Sequence, residues 1–328
     1  MRKSALVAGA GGFIGHHMVR YLKDRGYWVR GVDIKMPEFG TSAADEFIVA
    51  DLREFPNCMT ATEDMDEIYQ LAADMGGIGF ISANHADVAR NNVLINAHML
   101  EAAHLNGATR YFYSSSACIY PLHLQESPDI AGLQEEDAYP AQPEEGYGWE
   151  KLYSEKLCEY YTEDKGLPTR VARFHNVYGP FGTYEGGREK APAAICRKVA
   201  IAPDGGDLEI WGDGLQTRSF MYVDDCVEGI YRIMQSDHGE PLNLGTDVMV
   251  TIDELVDLVS AIARKRLVKR HDTSKPQGVR GRNSDNSRLF EVLGWEPQTG
   301  LDEGLTQTYE WIEEELIGAG RIGAAAVA

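Results

Sequence analysis

The chain has 328 residues, of which 44% are hydrophobic and 25% are charged, as is typical of a globular protein. Its 31 lysines and arginines against 51 aspartates and glutamates give a net charge of −20, which disfavours nucleic-acid binding because phosphate recognition needs a basic face. No apolar run approaches the roughly 18 residues of a membrane span. Five widely spaced cysteines without a Cys-x-x-Cys pair disfavour a disulfide framework and a zinc site, so we expect no metal and a cytoplasmic location.

The first half of the chain alternates short apolar runs with longer amphipathic ones, which predicts a parallel sheet covered by helices on both faces. Strands are predicted at residues 4–8, 28–32, 46–50, 67–72, 111–115 and 169–174. Helices are predicted at residues 13–25, 87–106 and 148–164. The acidic, proline-containing segment 121–145 is predicted to be a surface loop.

The second half contains too few alternating strands for another sheet of this kind, and it predicts a smaller α+β lobe. Helices are expected at residues 191–200, 223–234, 252–264 and 301–316. The predicted fold is therefore α/β, a doubly wound parallel sheet with a C-terminal lobe. We assign residues 1–175 to the sheet domain, to which later segments can return, residues 176–317 mainly to the lobe, and residues 318–328 to a flexible tail.

Three glycines follow the first predicted strand: Gly9, Gly12 and Gly15. Glycines at this point permit a tight turn and the close approach of a pyrophosphate, and the helix that starts with Phe13 and Ile14 directs its N-terminus at the anion. The alternative is an ordinary glycine turn. The flanking strand and helix favour the dinucleotide site of a Rossmann fold.

Acidic and small residues at the ends of the next strands extend this interpretation. Asp33 follows the last glycine by 18 residues, where a carboxylate accepts hydrogen bonds from the ribose of NAD and repels the 2′-phosphate of NADP. A capping role for Asp33 is the alternative. Asp51, followed by Leu52, is placed to meet the adenine, and Ala72 and Ala73 are small enough for the cofactor to lie close. We therefore predict NAD as the cofactor.

Tyr147 and Lys151 form a Tyr-x-x-x-Lys pair, which places both side chains on one face of a helix. The ammonium is expected to lower the pKa of the phenol, so that Tyr147 acts as a base near neutral pH. Ser116 leaves the fifth predicted strand, where its hydroxyl is placed to hydrogen-bond the reacting oxygen.

These motifs resemble the extended short-chain dehydrogenase/reductase superfamily, which includes nucleotide-sugar epimerases and dehydratases. Longer blocks resemble the GDP-mannose 3,5-epimerase family more selectively: residues 71–77, 115–121, 173–183, 186–194, 211–220 and 278–286. The resemblance extends to about residue 316. It implies NAD-dependent epimerisation of GDP-D-mannose at C3 and C5 to GDP-L-galactose, with GDP-L-gulose as the C5-only product, by a homodimer.

The resemblance assigns the acid/base pair for C3 and C5 to Cys118 and Lys190. A nearby cation is expected to lower the pKa of the thiol, so that Cys118 serves as a base. The alternatives are that Cys118 is a small buried hydrophobic residue and that Lys190 is a solvated surface lysine.

The resemblance also implies a set of substrate contacts. Lys198, Arg218 and Arg282 are expected to hold the diphosphate, because guanidinium and ammonium groups bind phosphate oxygens. Gly76 and Gly77 belong to the loop that lines the hexose. The other expected contacts are Ser115, Ser116, Cys118, Asn176, Glu189, Lys190, Ala191 and Gln216.

Three competing functions remain to be weighed. A 4,6-dehydratase would normally carry Thr-Asp-Glu where this chain has Ser116, Ala117 and Cys118. A simple C4 epimerase needs no additional acid/base pair. A non-catalytic sensor of NAD or sugar nucleotides needs no combination of serine, Tyr147 and Lys151, so loss of turnover on Tyr147→Phe would separate an enzyme from a sensor.

Overall fold

The computed structural model describes residues 2–323, and it contains a central sheet, covering helices and several small strand pairs. The strands are β1 (Ser4–Ala8), β2 (Trp28–Asp33), β3 (Glu46–Val49), β4 (Glu67–Gln70), β5 (Arg110–Ser116), β6 (Thr169–Phe174), β7 (Val177–Tyr178), β8 (Asp207–Trp211), β9 (Thr217–Ser219), β10 (Met221–Tyr222), β11 (Leu242–Leu244), β12 (Met249–Thr251), β13 (Val268–Asp272) and β14 (Gly281–Arg282). The helices are α1 (Phe13–Asp24), α2 (Phe55–Thr62), α3 (Ile78–Ala83), α4 (His85–Leu105), α5 (Glu145–Lys165), α6 (Ala191–Ile201), α7 (Val223–Gln235), α8 (Ile252–Ile262), α9 (Ser287–Leu293) and α10 (Leu301–Gly318).

The central sheet has seven parallel strands in the order β11-β6-β5-β4-β1-β2-β3. Helices α1 and α7 cover one face, and α2, α4 and α5 cover the other. β1 has no polar residue after Ser4 because both of its faces are buried. The strand order reverses beside β1, and the carboxyl ends of β1, β2, β4 and β5 meet at one edge, where doubly wound folds bind their ligands. The predicted Rossmann fold is confirmed.

The second half of the chain contributes to both parts of the molecule. α6, α8 and α10 pack together beside small sheets in which β8 pairs with β13, and β9 pairs with β12 and β14. β11 returns to the central sheet against β6, and α7 packs on α1. The domain boundary at residue 175 stays a prediction. No helix within residues 2–323 is long and apolar enough to span a membrane.

Segment 121–145 differs from the predicted surface loop. Gln125, Leu133 and Ala138 are buried, and Leu133 forms a β-bridge with Ser284. The prediction was wrong because the acidic composition concealed a few inward-facing side chains. Two further boundaries also differ. α5 begins at Glu145, three residues early, and α10 continues to Gly318, where the flexible tail was predicted to begin. Residues 324–328 of that tail lie outside the described residues.

Candidate active site

The turn between β1 and α1 is packed so closely that two of its glycines have no room for a side chain. Gly9 has a φ of +83°, and a Cβ there would lie 2.8 Å from the backbone nitrogen of Ala72. A Cβ on Gly15 would lie 2.0 Å from the carbonyl oxygen of Gly9. No side chain within residues 2–323 caps α1 at Gly12, so the backbone N–H groups at Phe13 and Ile14 need another partner. This arrangement fits a pyrophosphate.

Asp33 ends β2 beside this turn. Its carboxylate accepts hydrogen bonds from the backbone N–H groups of Gly11, at 3.0 Å, and Lys35, at 3.2 Å. Burial raises the pKa of Asp33, and these hydrogen bonds oppose the shift. A carboxylate at the end of β2 and against the glycine turn fits the ribose of a dinucleotide.

Asp51, which follows β3, was expected to meet the adenine, but it has a partner within the protein. Asp51 pairs with Arg53, at 2.6 Å between Oδ2 and Nη2, and this hydrogen-bonded pair lowers the pKa of Asp51. Leu52 buries its side chain in the core, so its backbone is the part left to line a cofactor. Ala72 and Ala73 follow β4, and Ala72 lies against the glycine turn. Together these residues fit the adenosine half of NAD.

Tyr147 and Lys151 lie on α5 with the relation that their spacing predicts. The Nζ atom of Lys151 is 5.4 Å from the centre of the Tyr147 ring and donates to the carbonyl oxygen of Ser114 at 3.0 Å. Ser116 ends β5, and its hydroxyl accepts a hydrogen bond from the backbone N–H of Cys118 at 3.2 Å. The structure thus brings Ser116, Tyr147 and Lys151 to the same edge of the sheet.

Burial dominates the electrostatics of this group. It raises the pKa of Tyr147 well above the ordinary range, and Cys118 and Glu150 act in the same direction. The hydrogen bond with Ser116 opposes the shift. The expectation of a lowered pKa for the phenol is therefore wrong, because burial of the side chain raises it.

Lys151 has a buried carboxylate as its neighbour. Glu150 is 3% exposed, and its Oε1 atom lies 3.9 Å from Nζ of Lys151. It accepts hydrogen bonds from Asn92, at 2.9 Å, and Asn96, at 3.2 Å. Burial raises the pKa of Glu150 to about 7 and lowers that of Lys151, while Glu150 opposes the shift of Lys151. Glu150 was not among the predicted site residues.

Ser115 points away from the predicted substrate. Its hydroxyl donates to Glu155, which pairs with Arg173 at 2.8 Å, and Ser115 is only 2% exposed. Successive side chains of a strand face opposite ways, so Ser116 and Ser115 cannot both face the cleft. The predicted substrate contact by the Ser115 side chain is therefore wrong.

Cys118 lies against an arginine rather than against the expected lysine. Four of the five cysteines are buried, whereas Cys118 is partly exposed. Nη1 of Arg282 is 3.4 Å from its sulfur, and Arg282 also donates to Gln125, at 2.6 Å, and to Glu144. Burial and Glu144 raise the pKa of Cys118, and Arg282 opposes them, so the expected lowering is wrong.

The prediction that Arg282 holds the diphosphate stays a prediction. Arg282 is 6% exposed, and three of its N–H groups donate to Gln125, Glu144 and Cys118. Its guanidinium belongs to the cluster around the thiol. A guanidinium carries five N–H groups, so these three contacts leave donors that could also reach a phosphate.

Lys190 occupies the N-cap position of α6 and is exposed, and Ala191 is the first residue of that helix. Desolvation by the surrounding protein lowers the pKa of Lys190, while nearby Cys118 acts to raise it. Glu189 places a carboxylate oxygen 3.7 Å from Arg197. The proton-transfer role of Lys190 stays a prediction, because its side chain is exposed as a surface lysine would be.

The predicted hexose loop contacts the segment that carries Lys190. The backbone N–H of Gly77 donates to the carbonyl oxygen of Arg188 at 3.1 Å. A Cβ on Gly77 would lie 2.6 Å from the carbonyl oxygen of Glu189, and one on Gly76 would lie 3.0 Å from Cβ of Phe80. The glycines therefore allow the two loops to approach each other.

The other predicted substrate residues occupy the small sheets and their surroundings. Lys198 donates to the carbonyl oxygen of Glu209 at 2.8 Å, and Arg218 donates to that of Val279 at 2.7 Å. Burial lowers the pKa of Arg218 to about 10, which leaves it charged at neutral pH.

Two amides complete this set. Asn176 donates to the carbonyl oxygen of Ser219 at 3.0 Å. Gln216 donates to that of Trp211 at 3.0 Å, and its own side-chain oxygen is buried without a hydrogen-bond partner within residues 2–323.

A cavity of about 620 Å³ opens beside Tyr147. Its walls include Ile81 of α3, Gln125, Glu144 and Arg280. This volume is within the range of small-molecule sites. Within the described part of the chain, no cluster of three or more His, Cys, Asp or Glu side chains could hold a metal ion.

Four residues of the site were not predicted: Arg53, Gln125, Glu144 and Glu150. Gln125 and Glu144 lie in the segment interpreted as a surface loop. Nothing in the sequence distinguishes Glu144, which belongs to the site, from the exposed Glu145. Glu150 directly precedes Lys151 in the sequence. This position indicated its role, because a carboxylate next to a buried lysine serves as its counter-charge.

Comparison with known proteins agrees with this geometry. Residues 5–245 match the NAD dependent epimerase/dehydratase family. The chain is 50% identical over 312 residues to GDP-mannose 3,5-epimerase of Arabidopsis thaliana, covering 94% of this chain and 82% of that protein. The structure of UDP-glucose 4-epimerase of Thermotoga maritima with UDP-glucose is similar, with a TM-score of 0.86, 26% identity, and coverage of 95% and 99%. UDP-glucuronic acid 4-epimerase of Bacillus cereus, with UDP-glucuronic acid and NAD, has a TM-score of 0.81, 25% identity, and coverage of 95% and 99%.

Proposed function

Because this chain belongs to the NAD dependent epimerase/dehydratase family, we propose that it epimerises GDP-D-mannose at C3 and C5 to GDP-L-galactose, with GDP-L-gulose as the C5-only product. The coarser activity is that of an NAD-dependent nucleotide-sugar epimerase, an isomerase. The observation that carries the proposal is Cys118, a further proton-transfer group whose backbone N–H donates to Ser116, and the second such group is Lys190 at the start of α6.

Tyr147 exchanges the proton of the sugar 4-hydroxyl, and the Ser116 hydroxyl holds the same oxygen. NAD, when bound, supplies the oxidising and reducing capacity at C4. Lys151 supports Tyr147 with a buried positive charge, which its hydrogen bond to the carbonyl oxygen of Ser114 holds in place. A tyrosinate that is costly to form in the buried site requires this compensation.

A ketone at C4 acidifies the protons at both C3 and C5. Inversion at either carbon needs one group to remove a proton and another to return one from the opposite face. Cys118 and Lys190 provide a thiol and an amine for these tasks. Arg218, Lys198 and Arg282 are the proposed anchors for the diphosphate, because cationic side chains bind phosphate oxygens.

A simple C4 epimerase is the second candidate, because the similar structures include UDP-sugar 4-epimerases. Incubation with GDP-mannose in deuterated water, followed by NMR of the recovered sugars, separates the two. Deuterium at C3 and C5 with galacto- and gulo-configured products supports our proposal. A C4-inverted product without deuterium at C3 or C5 supports the alternative, and the absence of exchange and of any new sugar refutes the substrate assignment.

A homodimer is part of the proposal. Trp149, Tyr153 and Tyr160 are each about half exposed and lie on one side of α5, beside exposed Leu94 and Leu105 of α4. A second copy of this helix pair would cover the patch. A Tyr153→Glu, Tyr160→Glu double variant should sediment as a monomer, and a wild-type chain that is itself monomeric would refute the dimer.

A cytoplasmic location is also proposed. All five cysteines are unpaired, and a reducing compartment keeps them so. Fractionation of the source cells, with the chain followed by immunoblotting, tests the location.

A further inference from the structure

The surroundings of Cys118 form a cluster that the proposed reaction does not fully use. Arg282 contacts the Cys118 sulfur through Nη1, at 3.4 Å, and pairs with Glu144 through Nη2. Gln125 accepts from Nε of the same guanidinium at 2.6 Å. Three side chains from residues 118–144 therefore hold one buried arginine that lies more than a hundred residues later in the sequence.

The backbone fixes the same arrangement. The N–H of Glu144 donates to the carbonyl oxygen of Cys118 at 2.9 Å. A Cβ on Gly148 would lie 2.4 Å from that oxygen, so the start of α5 packs directly against the cysteine. Glu144 is thus attached to Cys118 twice, through the backbone and through Arg282.

We propose that Glu144 is a positioning residue for Cys118: it holds the Arg282 guanidinium against the sulfur, and its negative charge favours the thiol over the thiolate. The inference deepens the proposed function and rests on it for its catalytic meaning. The physical basis is that a buried carboxylate beside a thiol disfavours a second negative charge. Arg282 lowers the pKa of Glu144 although burial opposes it, so Glu144 is ionised at neutral pH.

Several charged or titratable groups surround the thiol, and the charge of Glu144 disfavours its ionisation. Tyr147 and Lys151 on α5 interact electrostatically with the thiol. So do three cations from other elements, which are Arg282 of β14, Arg218 of β9 and Lys190 at the start of α6. Burial and Glu144 raise the pKa of Cys118, and Arg282 and Ser116 oppose them. Replacing Glu144 with glutamine removes the raising charge while the amide oxygen still accepts from Arg282.

The consequence is a division of labour between the acid/base pair. Because Cys118 is held as the thiol, the other member of the pair, Lys190, accepts a proton from the sugar carbon as an amine and becomes an ammonium. Cys118 donates its thiol proton to the opposite face of that carbon and becomes a thiolate. Exchange with water then returns Lys190 to the amine and Cys118 to the thiol, so every proton is accounted for.

The test measures the thiol directly, without substrate. Iodoacetamide reacts with the thiolate, and Cys118 is the exposed target because the other four cysteines are buried. The rate of labelling of the Cys118 peptide, followed by mass spectrometry in the NAD-loaded protein, gives a midpoint pH. Glu144→Gln should lower that midpoint by about one unit.

Two variants make the result specific. Glu144→Asp keeps the charge and should keep the midpoint near that of the wild type, which also tests the proposal if the glutamine variant folds poorly. Glu159→Gln removes an exposed carboxylate on α5, which pairs with Lys156 at 2.6 Å, and should leave the midpoint unchanged. An unchanged or raised midpoint in folded Glu144→Gln overturns the proposal.

The same variants separate this inference from the function. If the midpoint falls in Glu144→Gln but the wild type does not turn over GDP-mannose, the proposed function fails and the role of Glu144 stands. If the wild type turns over and the midpoint does not move, the role of Glu144 fails alone.

Discussion

The two ends of the cleft are built in different ways. At the cofactor end, the glycine turn and Asp33 come from consecutive elements, and the ligand-binding groups are largely backbone N–H groups and one carboxylate. At the substrate end, Cys118, Glu144 and Arg282 come from three separated segments and meet through side chains. The first arrangement needs local geometry, whereas the second needs the whole fold. The first should therefore be sensitive to backbone changes and the second to single side-chain atoms.

The largest effect is expected at Tyr147, which serves both ends. Tyr147→Phe removes the hydroxyl and keeps the buried ring, so turnover should fall about 10³-fold while NAD binding changes little. NMR of deuterium incorporation measures the turnover, and titration with NAD measures the binding. Tyr139→Phe, at an exposed tyrosine outside the proposed dimer patch, is the control. Turnover within a few-fold of the wild type would exclude Tyr147 as the base.

Lys190 and Lys198 sharpen the distinction between proton transfer and binding at the substrate end. Lys190→Met should lower deuterium incorporation about 10²-fold while oxidation at C4, followed by NADH absorbance, persists. Lys198→Met should raise KM and leave kcat nearly unchanged. A Lys190→Met variant that changes only KM would contradict the catalytic assignment.

Two glycines with the same φ test the cofactor end. Gly9 and Gly26 both have a φ of +83°, but a Cβ on Gly9 meets the backbone of Ala72, whereas one on Gly26 has no neighbour within 4 Å among the described residues. Gly9→Ala should weaken NAD binding roughly 30-fold, or about 2 kcal/mol. Gly26→Ala should cost about 1–2 kcal/mol of unfolding free energy and leave NAD affinity unchanged. If Gly9→Ala and Gly26→Ala lost the same NAD affinity, the contact of Gly9 with the backbone of Ala72 would not explain the loss.

The smallest effect concerns stability at low pH. Burial lowers the pKa of His175 from 6.5 to about 3, so the unfolded chain binds this proton first, and stability falls as pH falls below 6.5. Between pH 7.5 and 5.5 this histidine should account for about 1.4 kcal/mol of the loss. In urea unfolding, the loss of unfolding free energy between the two pH values should be smaller by that amount in His175→Asn than in the wild type. His123→Gln, at an exposed histidine, should keep the wild-type difference, and an equal effect in both variants would refute the assignment.

Much of the fold could be predicted because its determinants are local. The apolar run of β1, the glycine turn and the amphipathic helices each identify an element without knowledge of its neighbours. Segment 121–145 could not be predicted in this way. Gln125 and Leu133 are buried there by contacts with β14 and its surroundings, which lie more than a hundred residues away.

The same division applies to the candidate site. The motifs identified Tyr147 and Lys151, and the resemblance to a family identified Cys118 and Lys190. Neither indicated that Ser115 faces Glu155, because strand alternation assigns faces only relative to a known neighbour.

The sequence by itself determined the Rossmann fold, the cofactor end and the types of reactive group, because these depend on spacing within one or two elements. Only the tertiary structure decided the protonation of those groups and the partner of each charge. Arg282 meets Cys118 and Glu144 rather than solvent, and burial raises the pKa of Tyr147 despite Lys151. Desolvation and long-range ion pairing depend on which distant segments enclose a side chain, and no local pattern records that.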